Sequence, residues 1–196
     1  SWNTDLLRWE IRPEAGGCWL ILTHTFDDRA GAASFTAGWI ECLDRLADRL
    51  AGRTESEPSR WAERHEEFVE KFGLAEGTAE QTEDGWRIRF ERQLIRPVDE
   101  AWAALTAGGT PAIGAPAPPA FGAGKPWQPG SVTAVDPPKV LEYDSPAGRV
   151  RWQLADGPGG ARLVLTQTGR LGTAHDPDAA LAAWKNRLET LARQLR

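Results

Sequence analysis

The chain has 196 residues, 41% hydrophobic and 26% charged, with a formal net charge of −5. That composition suits an ordinary globular protein with room for one large domain or two small ones. The acidic balance argues against a general nucleic-acid binder, whose footprint is basic. No apolar run approaches the roughly 20 residues of a membrane-spanning helix, and no charged-then-apolar leader opens the chain.

In chain order, residues 8–25 (RWEIRPEAGGCWLILTHT) read as two alternating strands around the turn Gly16-Gly17. Residues 32–51 carry Phe35, Trp39, Leu43, Leu46 and Leu50 at spacings of three or four, one apolar stripe of a long helix. Residues 54–60 form a polar loop. Residues 61–72 put Trp61, His65, Phe68, Val69 and Phe72 on one side of an amphipathic helix stopped by Gly73, and 75–84 read as acidic linker. Residues 85–95 (GWRIRFERQLI) alternate as a half-buried strand whose apolar face is interrupted by Arg92. Pro97 opens a short helix with Val98, Ala101, Trp102 and Leu105 on one face. The Pro/Gly/Ala stretch 108–130 forms no regular element; it is either a disordered bridge or a loop packed down through Phe121 and Trp127. Strands follow at 131–136 and 139–144 around Asp136-Pro137-Pro138. A second hairpin runs over 151–168 (RWQLADGPGGARLVLTQT), and a last helix is capped by Asp176 with Pro177 at its first turn.

The two hairpins align without a gap at an offset of 143, sharing Arg-Trp, Gly-Gly and Leu-x-Leu-Thr-x-Thr. After a two-residue shift the helices align too, with Trp39 matching Trp184 and the Leu stripe matching Leu188, Leu191 and Leu195. An internal repeat of this kind makes residues 1–53 the C-terminal part of a first domain, 54–84 a linker, and 85–196 a second domain. Residues 84–143, which precede the second hairpin, lack a counterpart before the first. The reading therefore expects a missing N-terminal segment, or a second chain, to complete domain one. The absence of Met from the whole sequence agrees with that expectation.

The stretch RFERQLIRPVDEAWAALT (89–106) resembles the opening strand and helix of activator of Hsp90 ATPase homologues, in the SRPBCC or START-like superfamily. VTAVDPPKVLEYDS (132–145) is similar to that family's Asp-Pro-Pro hairpin. The Arg-Trp strand, the Leu-Thr-x-Thr strand and the Trp-bearing last helix resemble its C-terminal third. The family's Gly-Trp stands as Gly38-Trp39 in the first copy and Ala183-Trp184 in the second. The second copy departs from the pattern at 108–130, where the family has a further helix and strands. The resemblance implies an α+β, helix-grip fold: an antiparallel sheet curved around a long C-terminal helix, often enclosing an apolar cavity.

Catalytic chemistry is thin. His24, His65 and His175 have no nucleophile or base at a suggestive spacing, and Gln167 replaces His24 in the second copy. Asp27 and Asp28 read as a charged turn, and Glu63-Arg64 and Glu66-Glu67 as solvated helix face. The Gly-rich stretch 108–124 lacks the Gly-Lys-Ser/Thr of a phosphate loop. Cys18 and Cys42 read as reduced, buried thiols of a cytoplasmic protein, and neither a zinc motif nor a cofactor motif is present. The aromatic residues carry more information. Trp9, Trp39, Phe90, Trp102, Phe121, Trp127, Tyr143, Trp152 and Trp184, with His24, are core residues or walls of a pocket for a small hydrophobic molecule. Arg92 is that pocket's polar anchor, or it snorkels to the surface. The leading expectation is non-enzymatic binding of such a ligand. A co-chaperone-like interaction module and a cyclase- or hydrolase-type enzyme using His24 or Arg92 are the alternatives.

Overall fold

The structure, a computed structural model, describes residues 5–53, 58–170 and 176–196. His175 and residues 54–57 of the polar loop lie outside the described residues. Strands β1 (Leu6–Glu14) and β2 (Gly17–Thr25) form a two-stranded antiparallel sheet with Trp9 opposite Leu22 and Glu14 opposite Gly17. The turn between them needs Gly16 at φ 87°, the left-handed region that glycine enters without cost. Period-two alternation sends Leu7, Trp9, Ile11, Leu20, Leu22 and His24 to one face. Helix α1 (Ala32–Leu50) lies against that face through Trp39, which meets the Trp9 ring edge-on at 5.8 Å. Asp28 caps the short helical turn before α1 by accepting from the Gly31 N–H at 3.1 Å. Helix α2 (Trp61–Lys71) packs Val69, with the following Leu74, against Ala33 of α1.

The remainder builds a six-stranded antiparallel sheet in the order β3-β4-β8-β7-β6-β5. Its strands are β3 (Thr78–Thr82), β4 (Gly85–Gln93), β5 (Val132–Asp136), β6 (Val140–Ser145), β7 (Gly148–Gly157) and β8 (Gly160–Arg170). Helix α3 (Val98–Thr106) and the C-terminal helix α4 (Pro177–Gln194) complete the architecture. The Asp176 side chain accepts from the Asp178 N–H, and Pro177 occupies the first turn, where its missing donor is not needed. Helix α3 stops where Ala107 and Gly108 turn left-handed. The sheet curves around α4, and the space between is packed solid with Ile88, Phe90, Tyr143, Trp152, Leu163, Leu165, Trp184 and Leu191, all buried.

Three features differ from the sequence reading. Within the stretch 75–84, read as linker, β3 pairs with β4 from Thr78 opposite Arg89 to Thr82 opposite Gly85. All five of its side chains are exposed, so backbone hydrogen bonding alone makes it a strand and no apolar alternation marks it. Of the two readings of 108–130, the packed loop is the one observed. A helical turn at Pro119–Phe121 buries Phe121 completely, and Trp127 is buried beside it. Both cysteines are free, as expected, but exposed rather than buried. Cys18 corresponds to Ala161, which is fully buried under β4 and its neighbours. Among the described residues, no strand covers the edge beside Cys18 in the two-stranded sheet.

Candidate functional site

The aromatic candidates divide into separate groups. In the six-stranded unit they form an edge-to-face chain: Trp102 to Phe121 at 5.8 Å, Phe121 to Trp152 at 5.4 Å, and Trp152 to Trp184 at 5.9 Å. The loop carbonyl of Phe121 accepts from both the Tyr143 hydroxyl, at 2.7 Å, and the Trp152 indole, at 3.0 Å. Burial pushes the Tyr143 hydroxyl up from its ordinary pKa. The Trp184 indole donates to Gln167 Oε1 at 2.5 Å, and the Gln167 amide donates to the Ala147 carbonyl at 3.1 Å. These residues are satisfied and packed, so in this unit the sheet–helix interior is a core. Phe90 also borders a small surface cleft with Gly77 and Leu181.

Around α1 the same joint recurs with different chemistry. The Trp39 indole donates to His24 Nδ1 at 3.2 Å. An indole N–H can only donate, so Nδ1 accepts and the ring proton sits on Nε2, 2.9 Å from Asp5 Oδ2. Phe35 packs edge-on against the same ring at 5.1 Å. Asp28, read as part of a charged turn beside His24, pairs instead with Arg162 of β8, which also reaches Glu91.

Arg92 does not snorkel to the surface, and it lines the groove between α2 and α4. It is buried, and its guanidinium donates to Glu66 of α2 at 2.6 Å. Glu66, read as solvated, is therefore the buried acceptor of the cluster. It also receives Arg196 at 3.2 Å and lies 3.2 Å from His65 Nδ1. Burial would raise the carboxyl pKa, but the His65 hydrogen bond and the charge of Arg92 outweigh it and hold Glu66 at about 2. The sequence marks Glu66 only by its place beside His65 on the amphipathic helix. A helix-wheel reading assigns it to the polar side because Arg92 is distant in sequence. The cluster borders a groove of about 360 Å³ between α2 and α4 whose walls mix Glu70, Glu76 and Glu189 with Lys185 and Arg193. Such a balanced wall selects no single ligand charge.

The apolar cavity lies elsewhere. Phe35, Trp39 and Cys42 of α1, Trp61 of α2, and Pro158-Gly159 of the β7–β8 turn enclose a groove of about 430 Å³ that also includes Ser34 and Gly38. Its position depends on Gly159, held at φ 90° with the Trp61 ring where a Cβ would stand. Its one buried polar group is the Ser34 hydroxyl, which has no hydrogen-bond partner among the described residues. Of the candidates named from sequence, only Trp39 reaches this groove. Ser34, Cys42 and Trp61 were not singled out for binding, because the groove is made where α1, α2 and a distant turn converge. Among the described residues no cluster of His, Cys, Asp or Glu is placed to hold a metal ion, and no helix is long and apolar enough to cross a membrane.

No protein-family model matches the sequence, and no curated protein does. Solved structures do resemble the fold. A conserved protein of unknown function from Enterococcus faecalis superposes with a TM-score of 0.50 at 15% identity, covering 64% of this chain and 82% of that one. An Aha1 dimer from Colwellia psychrerythraea gives 0.46 at 16% identity, covering 56% and 95%. An AHSA1-like protein from Aeromonas hydrophila gives 0.41 at 21% identity, covering 55% and 90%. At these identities the likeness concerns fold alone. With a curved antiparallel six-stranded sheet closed by a C-terminal helix, the chain has the α+β helix-grip fold.

Proposed function

We propose that this chain is a non-enzymatic, cytoplasmic binding protein for a small hydrophobic molecule, and that residues 1–53 are the closing hairpin and helix of a first START-like unit in tandem with the second, 85–196. The apolar groove between α1, Trp61 and Pro158-Gly159 carries the ligand reading. Aromatic and aliphatic walls with one unsatisfied hydroxyl, Ser34, suit an apolar ligand that offers a single hydrogen-bonding group. On this reading the ligand sits at the junction of the two units, and the filled sheet–helix interior of the six-stranded unit supports that choice. The candidates of an enzymatic reading, His24 or Arg92, are each engaged by partners of their own. The matching indole joints, Trp39 to His24 and Trp184 to Gln167, support the tandem reading. Titration of tryptophan fluorescence with 1-anilinonaphthalene-8-sulfonate tests the ligand proposal. Saturable binding that is weakened by Trp61→Ala, with the far-ultraviolet dichroism unchanged, is expected. Absence of saturation, or equal binding by the variant, overturns it.

A co-chaperone-like interaction role is the second reading, favoured by one observation: Leu6, Ile11, Trp19 and Leu20 of the β1–β2 hairpin are exposed.

A further inference from the structure

The hairpins β1–β2 and β7–β8 share a register but not a setting. Both outer edges of β7–β8 are covered, β8 by β4 and β7 by β6, whereas among the described residues β1 and β2 form a sheet of two. The inner faces differ in the same sense. Ile11 is 70% exposed where its counterpart Leu154 is 3%, and Leu20 is 40% exposed where Leu163 is 0%.

The two free edges are not alike. With a two-residue turn, Glu14 and Gly17 are the first hydrogen-bonded pair, and pairs then alternate along the hairpin. The N–H groups of Cys18, Leu20, Leu22 and His24 therefore point away from β1. The second hairpin shows the same parity: the Ala161 carbonyl, counterpart of Cys18, accepts from the Leu94 N–H at 2.7 Å across the outer edge of β8. On β1 the alternation brings Pro13, which has no N–H, to the outer edge, a device that blocks strand addition. Among the described residues the β2 edge has no such guard. Its nine residues, GCWLILTHT, contain no charge and no proline, the composition of a strand that recruits another.

What sits on the equivalent edge of β8 is an antiparallel strand, β4, with alternating apolar residues on the inner face. This chain's own β4 already lies between β3 and β8 and cannot serve β2. The β2 strand of a second copy meets the requirement. A two-fold axis at Ile21 overlaps Gly17–Thr25 with itself over its full length. It sets Leu20 against Leu22 and Trp19 against Thr23 across the axis, and keeps the two inner faces on one side of the sheet. No like charges meet, because the strand carries none. We propose that the free edge of β2 is a self-association site at which two copies of this chain pair β2 with β2 antiparallel, forming a continuous four-stranded sheet with both α1 helices over its apolar face.

Sedimentation velocity of the full chain across micromolar concentrations tests this. A monomer–dimer equilibrium is expected, and Leu20→Lys and Leu20→Pro each return the monomer. The proline removes only an N–H that points away from β1, so the hairpin ladder survives. Hydrogen exchange of the unaltered chain is the second measurement: the amides of Leu20 and Leu22 should slow by about tenfold or more from the lowest to the highest concentration, while those of β8 do not change. A monomer at every concentration, a dimer that survives both folded variants, open-ended assemblies, or exchange independent of concentration overturns the proposal.

Discussion

The hairpin and helix of residues 6–50 and those of residues 148–194 carry the same joints in different surroundings. In each, a strand tryptophan meets a helix tryptophan edge-on, Trp9 with Trp39 at 5.8 Å and Trp152 with Trp184 at 5.9 Å. In each, the helix indole donates to the strand residue four positions after the first leucine of a Leu-x-Leu, His24 in one and Gln167 in the other. Yet Leu50 is 81% exposed while its counterpart Leu195 is 6% exposed. The difference lies in what flanks the pair. Strand β4, α3, the loop through Phe121 and the β5–β6 hairpin cover the second region, and among the described residues the first has α2 and the Pro158-Gly159 turn against its helix. A repeated local pattern thus fixes the joint, while flanking chain decides whether the joint becomes a core.

The largest expected effect breaks the symmetry of the two joints. Trp184→Ala removes a fully buried indole and leaves Gln167 Oε1 without its donor, a loss of about 3–5 kcal/mol. Trp39→Ala removes a half-buried ring whose neighbour Trp9 is already exposed, and about half that loss is expected. Urea denaturation of both variants checks this. Equal losses would mean that the first joint is as well covered as the second, against the exposure described here.

The seam between the regions is next. Glu66 of α2 is held at about pKa 2, below its ordinary value of 4.5. A carboxyl depressed in the folded state contributes stability that is complete above its unfolded pKa and is lost as pH falls toward its folded pKa. Docking of α2 on Arg92 and Arg196 should therefore weaken from about pH 4.5 down to about pH 2, by about 1–2 kcal/mol after screening of the partly exposed carboxylate by solvent. Glu66→Gln should abolish that pH dependence and, by leaving Arg92 buried without its counter-charge, destabilise the protein at neutral pH. Stability measured against pH for both proteins decides it. A parallel acid loss in Glu66→Gln would place the seam's electrostatics elsewhere.

Much of this was legible in the sequence, and the parts that were not have a common cause. The hairpins, the long helices and the matched tryptophans follow from short-range periodicity and from Gly-Gly turns. The α+β class follows from their order, and the helix-grip fold is what the resemblance of residues 89–106 and 132–145 implies. Strand β3 escaped because TAEQT has no apolar face to show. The pairing of Glu66 with Arg92 escaped because it exists only when α2 folds over β4. The groove escaped for the same reason: Ser34, Trp61 and Gly159 come from three segments, and their convergence has no signature along the chain. Arg92 was visible as an interruption of an apolar face, and a charge at such a position requires a partner. The sequence could not say that the partner was a glutamate 26 residues earlier.

The smallest expected effect is one of rate, and it separates the two faces of the first region. Cys18 lies on the hairpin's inner face and Cys42 on the wall of the groove, and both thiols are exposed. Both should therefore react with a disulfide reagent in the folded protein without prior unfolding, since reaction requires an accessible thiolate. A ligand in the groove covers Cys42 and leaves Cys18 open. Pairing of β2 between two copies covers the hairpin and should slow Cys18 as concentration rises, with Cys42 unchanged. Mass spectrometry of each modified peptide over time distinguishes the two. If both thiols respond together to ligand and to concentration, the groove and the hairpin edge are not independent surfaces, and the contrast between a binding groove and an associating edge fails.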